Sequence, residues 1–184
     1  MPPKQKSKLS KSQKNLIQWK ATLDIATDMV LRASDVASTA PTSVALDIEA
    51  YESNQALILE IGWSICDLSS GHLQNRFVNS RPDMFEYGKT VWASLQGAIA
   101  AFQHDLERAA RRNKDERDMV QFDTQKMNAA RVGDGTCKSC KTGLGKLLDE
   151  VDIKNYSLHN AGNDAHYTME LFLWLARNIG SQRV

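Results

Sequence analysis

Two acidic residues with a strict spacing are the first sign of chemistry in this chain. Asp47 and Glu49 are two residues apart in 44–51, a segment whose alternating pattern predicts a β-strand. Both carboxylates therefore share one face, while Leu46 and Ile48 point to the other. Two such acids repel each other unless a cation lies between them, and a divalent ion is the usual solution. Most pairs of this kind are the wet face of an edge strand, but the apolar flanks favour a place inside the sheet.

A histidine and an aspartate form a second constellation further along the chain. A helix is predicted over 165–179, with Gly180 just past its end and Asp164 at its start, where exposed N–H groups favour a carboxylate. His159 lies five residues before Asp164, in the preceding loop. Hydrolysis needs an acid that holds a metal ion and an imidazole that takes a proton from the attacking water. The alternative is a helix cap beside an unrelated histidine.

The other predicted elements must position these residues. Strands are predicted over 44–51, 56–68, 76–79 and 119–122, and helices over 16–33, 93–113, 144–151 and 165–179. Strands first, with helices interleaved afterwards, indicate a mixed α/β layer fold. The residues expected in the core include Trp92, Phe172, Trp174 and Leu175.

The charge of the chain is unevenly divided. Its 184 residues carry a net charge of +1, but the first 20 contain six lysines and no acid, which leaves the remainder at −5. We expect a disordered basic tail over 1–14, an N-terminal helix and linker over 15–42, and the main domain over 43–184. The tail is either a solvated arm or an electrostatic tether for nucleic acid or nuclear import.

The composition also bears on location and on zinc. No apolar run reaches the roughly 18 residues of a membrane span, so we expect no membrane association and an intracellular, cytoplasmic or nuclear protein. Three cysteines fit a reducing compartment. Cys137 and Cys140 have the spacing of half a zinc site, but the chain has no second such pair. We interpret them as reduced cysteines; a zinc-stabilised interaction protein is the alternative.

Five blocks, in this order, resemble the DEDDh group of 3′-to-5′ exonucleases, which have an RNase H-like (DnaQ-like) fold. They are LDIEA at 46–50, EIGW at 60–63, DTQ at 123–125, GLGKLL at 143–148 and LHNAGNDAHYT at 158–168. The last block and the FEYGKT stretch beginning at Phe85 are similar to a fungal branch linked to RNA silencing and mRNA export. The resemblance implies an RNase H-like mixed sheet flanked by helices.

The resemblance also implies a reaction. Asp47, Glu49 and Asp164 would hold two Mg²⁺ or Mn²⁺ ions, and His159 would be the general base that activates water at the terminal phosphodiester. The substrate would be single-stranded nucleic acid, with RNA favoured, and RNA-silencing or mRNP proteins would be partners. We expect Ala50 and Tyr51 to contact the substrate, the Tyr51 ring by stacking on the terminal base, although Tyr51 also fits an ordinary strand tyrosine.

The second acidic motif of that family departs from its pattern here. If residues 103–106 (QHDL) are its remnant, the catalytic aspartate falls on Ala109 and is absent. If spacing decides, Asp105 is the fourth acid and a metal ligand. If 93–113 is one continuous helix, the motif is deleted and another acid must substitute for it. The candidates for that substitution are Asp115, Asp118 and Asp123.

Two functions follow from these alternatives. The first is a metal-dependent 3′-to-5′ exonuclease with Asp47, Glu49, Asp105 and Asp164 as metal ligands. The second is a catalytically weak or inactive RNase H-like module that binds nucleic acid or protein. The number of carboxylates that meet at the site discriminates between them, because an ion held by fewer carboxylates keeps more water and binds more weakly.

Overall fold

A single twisted sheet organises the molecule. The computed structural model describes residues 9–39, 42–68, 70–79, 85–88, 90–111, 120–136 and 142–180. In these residues the strand order is β1 (Thr42–Tyr51), β2 (Asn54–Asp67), β3 (His72–Asn79) and β4 (Thr90–Val91). The first three strands are antiparallel neighbours, and β4 is parallel to β3. The mixed sheet confirms the predicted α/β fold.

Five helices surround the sheet in the described residues. They are α1 (Lys11–Thr39), α2 (Leu95–Ala110), α3 (Thr124–Val132), α4 (Leu144–Glu150) and α5 (Ala161–Gly180). α5 packs on β1 and β2, and α1 packs on α3 and α5. Met127, Leu148 and Leu175 are among the fully buried residues of the core that these helices share. None of the described helices is both long and apolar enough to cross a membrane.

The register of β1 and β2 assigns each side chain to a face. Asp47 is opposite Gly62 and Glu49 is opposite Glu60, so these four positions share the α5 side of the sheet. Leu46 is opposite Trp63 on the other side. There Trp63 packs against Phe102 of α2, with ring centroids 5.4 Å apart. α2 and α5 therefore cover opposite faces of the sheet.

β1 is an edge strand within the described part of the chain, where it pairs only with β2. On the α2 side, Leu46 is 46% exposed and Ile48 is 48% exposed. Within the described residues the acid pair therefore lies at the edge of the sheet and not in its interior, where it was expected. α5, rather than a neighbouring strand on each side, shields Asp47 and Glu49 from water.

Several helix boundaries differ from the prediction. α1 begins at Lys11, inside the predicted tail, and continues to Thr39, because no proline or glycine interrupts it before Pro41. Residues 1–8 of the tail lie outside the described residues. α3 was not predicted, although Asp123 accepts a hydrogen bond from the Lys126 N–H as its N-cap, and Gly133, at φ +66°, ends it.

The strand and core predictions also need correction. Residues 120–122 are not in a strand, β3 begins before its predicted start, and β4 was not expected. Trp92, expected in the core, is 67% exposed. Phe172 and Leu175 are buried as predicted, and Trp174 is half-buried.

Candidate functional site

The acid pair of β1 faces the beginning of α5. Asp47 and Glu49 are half-buried on the same side of the strand, as their spacing predicts. The start of α5 is held by its own loop: the Asn160 side chain accepts the Asn163 N–H at 3.1 Å, which makes it the cap of the helix. The helix begins at Ala161, so Asp164 lies within its first turn.

The loop before α5 turns back on Asp164. His159 has φ +62°, a left-handed conformation that is uncommon for a residue with a side chain. This turn lets the His159 backbone N–H donate to Oδ2 of Asp164 at 3.2 Å. The imidazole itself is exposed. Asp164 thus fixes the position of His159 through the backbone and leaves the ring accessible to a substrate.

Three of the predicted residues converge into one group. A ligand atom from each of Glu49, His159 and Asp164 lies within 4.8 Å of the others. Asp47 adjoins them, since the charges of Glu49 and Asp164 both raise its pKa. The second oxygen of Asp164, Oδ1, is buried without a hydrogen-bond partner among the described residues. Clustered carboxylates with an unused buried oxygen fit a hard divalent cation, which takes oxygen ligands.

Asp47 and Asp164 bind protons more readily than ordinary carboxylates when no metal is bound, because both have raised pKa values. Burial, followed by the charges of Asp164, Glu49 and Glu60, raises the pKa of Asp47 to about 7. Burial also raises the pKa of Asp164 to about 6; Glu49 and Glu60 add to that increase, and the His159 N–H and imidazole oppose it. Ionisation of Asp47 or Asp164 here costs free energy that a bound cation would remove.

This electrostatic cost predicts how stability depends on pH. The folded pKa of Asp47 is above its value of about 3.9 in an unfolded chain, so the folded state binds more protons between pH 4 and 7. The contribution of Asp47 to the free energy of unfolding must therefore fall as the pH rises through that window. Urea denaturation with a chelator at each pH, on wild type and Asp47→Asn, measures the difference. A difference that does not change with pH would contradict the prediction.

The structure does not bring Asp105 to this group. Asp105 is on α2, on the opposite face of the sheet, where its Oδ2 accepts hydrogen bonds from Trp63 Nε1 at 3.1 Å and Arg76 Nε at 2.9 Å. It is 3% exposed. The assignment of Asp105 as a metal ligand and catalytic residue is therefore corrected to a structural role. α2 is continuous from Leu95 to Ala110, as the third of the sequence alternatives requires.

Asp105→Ala tests this correction. The substitution removes the acceptor from a buried indole N–H and from a half-buried guanidinium, so we expect the free energy of unfolding to fall by about 2–3 kcal/mol. Urea denaturation measures the loss. Mn²⁺ affinity, measured by calorimetry, should stay at the wild-type value, whereas a tenfold weaker affinity would return Asp105 to the metal site. Asp105→Asn, which keeps an acceptor oxygen, is the milder matched variant.

The other sequence candidates are placed as follows. Tyr51 is 51% exposed at the end of β1, beside half-buried Ala50, which suits contact with a substrate. Asp123 caps α3 and forms an ion pair with Lys126 at 3.1 Å. The remaining candidates, Asp115, Asp118, Cys137 and Cys140, lie outside the described residues.

A second loop, at residues 85–88, contacts the start of α5. In the sequence this loop stood out only as part of the resemblance to the fungal branch. Phe85 packs on Ala161. The Glu86 N–H donates to Oδ1 of Asn163 at 3.1 Å, and the Glu86 carboxylate accepts from Ser157 Oγ at 2.9 Å. These contacts hold both sides of the loop that carries His159.

Tyr87 extends these contacts along α5. Its ring stacks on His166 with centroids 3.6 Å apart. Its hydroxyl hydrogen-bonds to the Tyr167 hydroxyl at 2.6 Å. His166 and Tyr167 are both buried, so these two contacts hold Tyr87 against the interior side of α5.

The acid pair on the first strand meets a His-x4-Asp at the last helix, which is the arrangement that the resemblance to the DEDDh exonucleases implies. Comparison with known families agrees: residues 112–175 match a DEDDh family model described as "DNA polymerase III subunit epsilon-like, C-terminal domain". The match covers about a third of the chain and includes His159 and Asp164. It supports the DEDDh exonuclease family and a nuclease class for this chain.

A curated relative comes from Schizosaccharomyces pombe. It is an uncharacterized nucleolar protein, 26% identical over 199 aligned positions. The alignment covers 91% of this chain and 79% of the relative. The similarity therefore extends beyond the part that matches the family model, to both halves of the candidate site.

Proposed function

We propose that this protein is a divalent-metal-dependent 3′-to-5′ exonuclease that hydrolyses terminal phosphodiesters of single-stranded nucleic acid, with RNA favoured. The observation that carries the proposal is the convergence of Glu49, His159 and Asp164 within 4.8 Å. Glu49 is far from His159 and Asp164 in sequence, and a purely structural role would not need an exposed imidazole beside two carboxylates. The DEDDh family match supports the same class of reaction.

His159 and Asp164 have different roles in the proposed reaction. The exposed His159 imidazole takes the proton from the attacking water, since an imidazole changes its charge near neutral pH. Asp164 holds His159 in place through the backbone hydrogen bond at 3.2 Å. Because Asp164 lies in the first turn of α5, the positive end of the helix dipole faces the site and favours an incoming phosphate.

Asp47, Glu49 and Asp164 are the residues that would hold Mg²⁺ or Mn²⁺, two ions in the full mechanism. When bound, such ions polarise the phosphodiester and neutralise charge at the carboxylates and the phosphate. Tyr51, exposed at the end of the same strand, would stack on the terminal base, and Ala50 would contact the same nucleotide.

A 5′-labelled oligonucleotide tests this function. Wild-type protein with Mg²⁺ or Mn²⁺ should shorten single-stranded RNA from its 3′ end and release nucleoside monophosphates, with DNA as the comparison substrate. Asp164→Asn should abolish the shortening. Asp24→Asn, the same chemical change on the exposed side of α1, is the matched control and should retain activity. Absence of shortening with either metal, at enzyme in excess over substrate, would reject the proposal.

A catalytically inactive RNase H-like binding module is the second candidate. It is favoured by the position of Asp105, because only three of the four carboxylates predicted as metal ligands then lie at the site. Calorimetric titration with Mn²⁺ separates the candidates. Two tight sites support the exonuclease, whereas no site or one weak site supports the module.

The cellular setting is also a proposal. The S. pombe relative is described as nucleolar, which supports a nuclear location for this protein. Proteins of RNA silencing or of mRNP assembly would then be its partners. Immunofluorescence of the tagged full-length protein tests the location, and an exclusively cytoplasmic signal would contradict it.

A further inference from the structure

We propose that Glu60 is a positioning residue, which seats the first residue of α5 on the sheet and so places His159 and Asp164 against the acid pair. The inference rests on the proposed exonuclease function and adds a residue to it. Glu60 is on β2, directly opposite Glu49, and is 1% exposed. Its Oε2 accepts the backbone N–H of Ala161 at 3.2 Å.

The hydrogen bond joins two parts of the site that are distant in sequence. Ala161 is the first residue of α5, two residues after His159 and three before Asp164. The first N–H groups of a helix have no partner within the helix, and a carboxylate at this end also meets the positive end of the dipole. Glu60 therefore binds the helix at the point from which both functional side chains extend.

Gly62 lies on the same face of β2 and also contacts the start of α5. We call Glu60 and Gly62 together the seat of the helix. A Cβ atom at this position would lie 2.1 Å from the Ala161 carbonyl oxygen and 2.3 Å from the Gly162 nitrogen. Backbone atoms cannot move away from such a clash without displacing the helix start. The backbones of the strand and the helix are therefore in direct contact here. The Glu60 hydrogen bond fixes the distance between Ala161 and β2.

The charge of Glu60 is not what the seat requires. Its negative charge opposes ionisation of Asp47 and Asp164. Glutamine has the same shape and keeps an oxygen that accepts the Ala161 N–H, but it removes this repulsion. Glu60→Gln therefore separates positioning from a role in holding a cation, because only the second role needs the charge.

The experiment uses full-length Glu60→Gln, Glu60→Ala and Gly62→Ala, with Ile65→Val as control. Ile65 is buried on the same strand but on the α2 side, so its truncation perturbs β2 without touching α5. Three experiments are made on each variant: hydrogen exchange of the Ala161 amide without metal, Mn²⁺ titration by calorimetry, and steady-state kinetics on the RNA substrate, which give kcat and KM.

Glu60→Ala should expose the Ala161 amide to exchange, weaken Mn²⁺ binding by about 10–100-fold, and lower kcat with little change in KM. Gly62→Ala should do the same, whereas Glu60→Gln and Ile65→Val should stay within about threefold of wild type on all three measures. A Glu60→Gln variant as weak as Glu60→Ala would make Glu60 a charged ligand and overturn the proposal.

The proposal would also be overturned if Glu60→Ala had the same Ala161 amide exchange and the same Mn²⁺ affinity as wild type. The exchange measurement needs neither metal nor activity, so it decides the seat even if the protein proves not to be a nuclease. An inactive wild type with a protected Ala161 amide would reject the exonuclease function and keep the seat as a feature of the fold.

Discussion

Asp47→Asn will abolish nuclease activity and raise the stability of the metal-free protein. The variant loses a carboxylate that would hold the cation, and we expect the single-turnover rate on 5′-labelled RNA to fall by at least about 10²-fold. The stability gain has the opposite cause. Burial and three neighbouring acids raise the pKa of Asp47 to about 7, so its ionised form is unfavourable in the folded state at pH 8.

The two effects are measured on the same protein. Thermal denaturation with a chelator should show a higher Tm for Asp47→Asn at pH 8, and a difference near zero at pH 4, where folded Asp47 is already protonated. Added Mn²⁺ should raise the Tm of wild type only. Asp24→Asn controls for loss of a negative charge in general. An active Asp47→Asn variant, or one less stable than wild type at pH 8, would contradict the site described for Asp47.

His159→Asn will lower the rate of hydrolysis by about 10²–10⁴-fold while leaving Mn²⁺ affinity close to wild type. Asparagine is the better test than alanine, because His159 has φ +62° and asparagine adopts this left-handed conformation readily. The backbone hydrogen bond to Asp164 then survives, and only the imidazole is lost. The exposed position of His159 predicts little change in Tm.

The pH profile of the rate is the decisive readout for His159. General-base catalysis predicts that the rate of wild type falls towards acidic pH, and His159→Asn should show a smaller dependence on pH. Added imidazole should restore part of the rate. If Mn²⁺ affinity instead falls as far as the rate, His159 is a metal ligand and not the general base, an arrangement that its closeness to Glu49 and Asp164 also permits.

Local patterns in the sequence were enough to predict much of the fold. The alternation around Asp47 and Glu49 predicted β1 and its two faces, because a strand of any register keeps a period of two. The apolar spacing of α2 and α5 likewise predicted helices whose existence did not depend on their partners. α3 was missed although its cap residues are visible in the sequence, since its nine residues carry no strong apolar stripe.

The errors concern properties that depend on neighbours. The acid pair was expected between strands, but β1 is at the edge of the described sheet and α5 covers the acids. Trp92 was expected in the core from its type alone, and 67% of it is exposed. Burial of a residue is decided by what packs beside it, and a linear pattern does not contain that information.

Asp105 shows most clearly why part of the site was beyond reach. Its sequence neighbourhood allowed a metal ligand, a lost motif or a helix position, and each was consistent with the local pattern. Only the packing of α2 on the face opposite α5 pairs it with Trp63 and Arg76. An acid that lies across the sheet from Glu49 cannot share its cation, whatever its distance along the chain.

The sequence by itself determined the chemistry on offer: two carboxylates on one strand face, and a histidine five residues before an acid at a helix start. Those features depend on side-chain type and on periods of the backbone. The tertiary structure alone decided that Glu49 lies beside His159 and Asp164 and that Asp105 does not. It also decided that Glu60 and Gly62 form the contact between β2 and the start of α5. The physical reason is that these distances follow from how α5 and α2 pack on opposite faces of one sheet, which is a property of the whole fold.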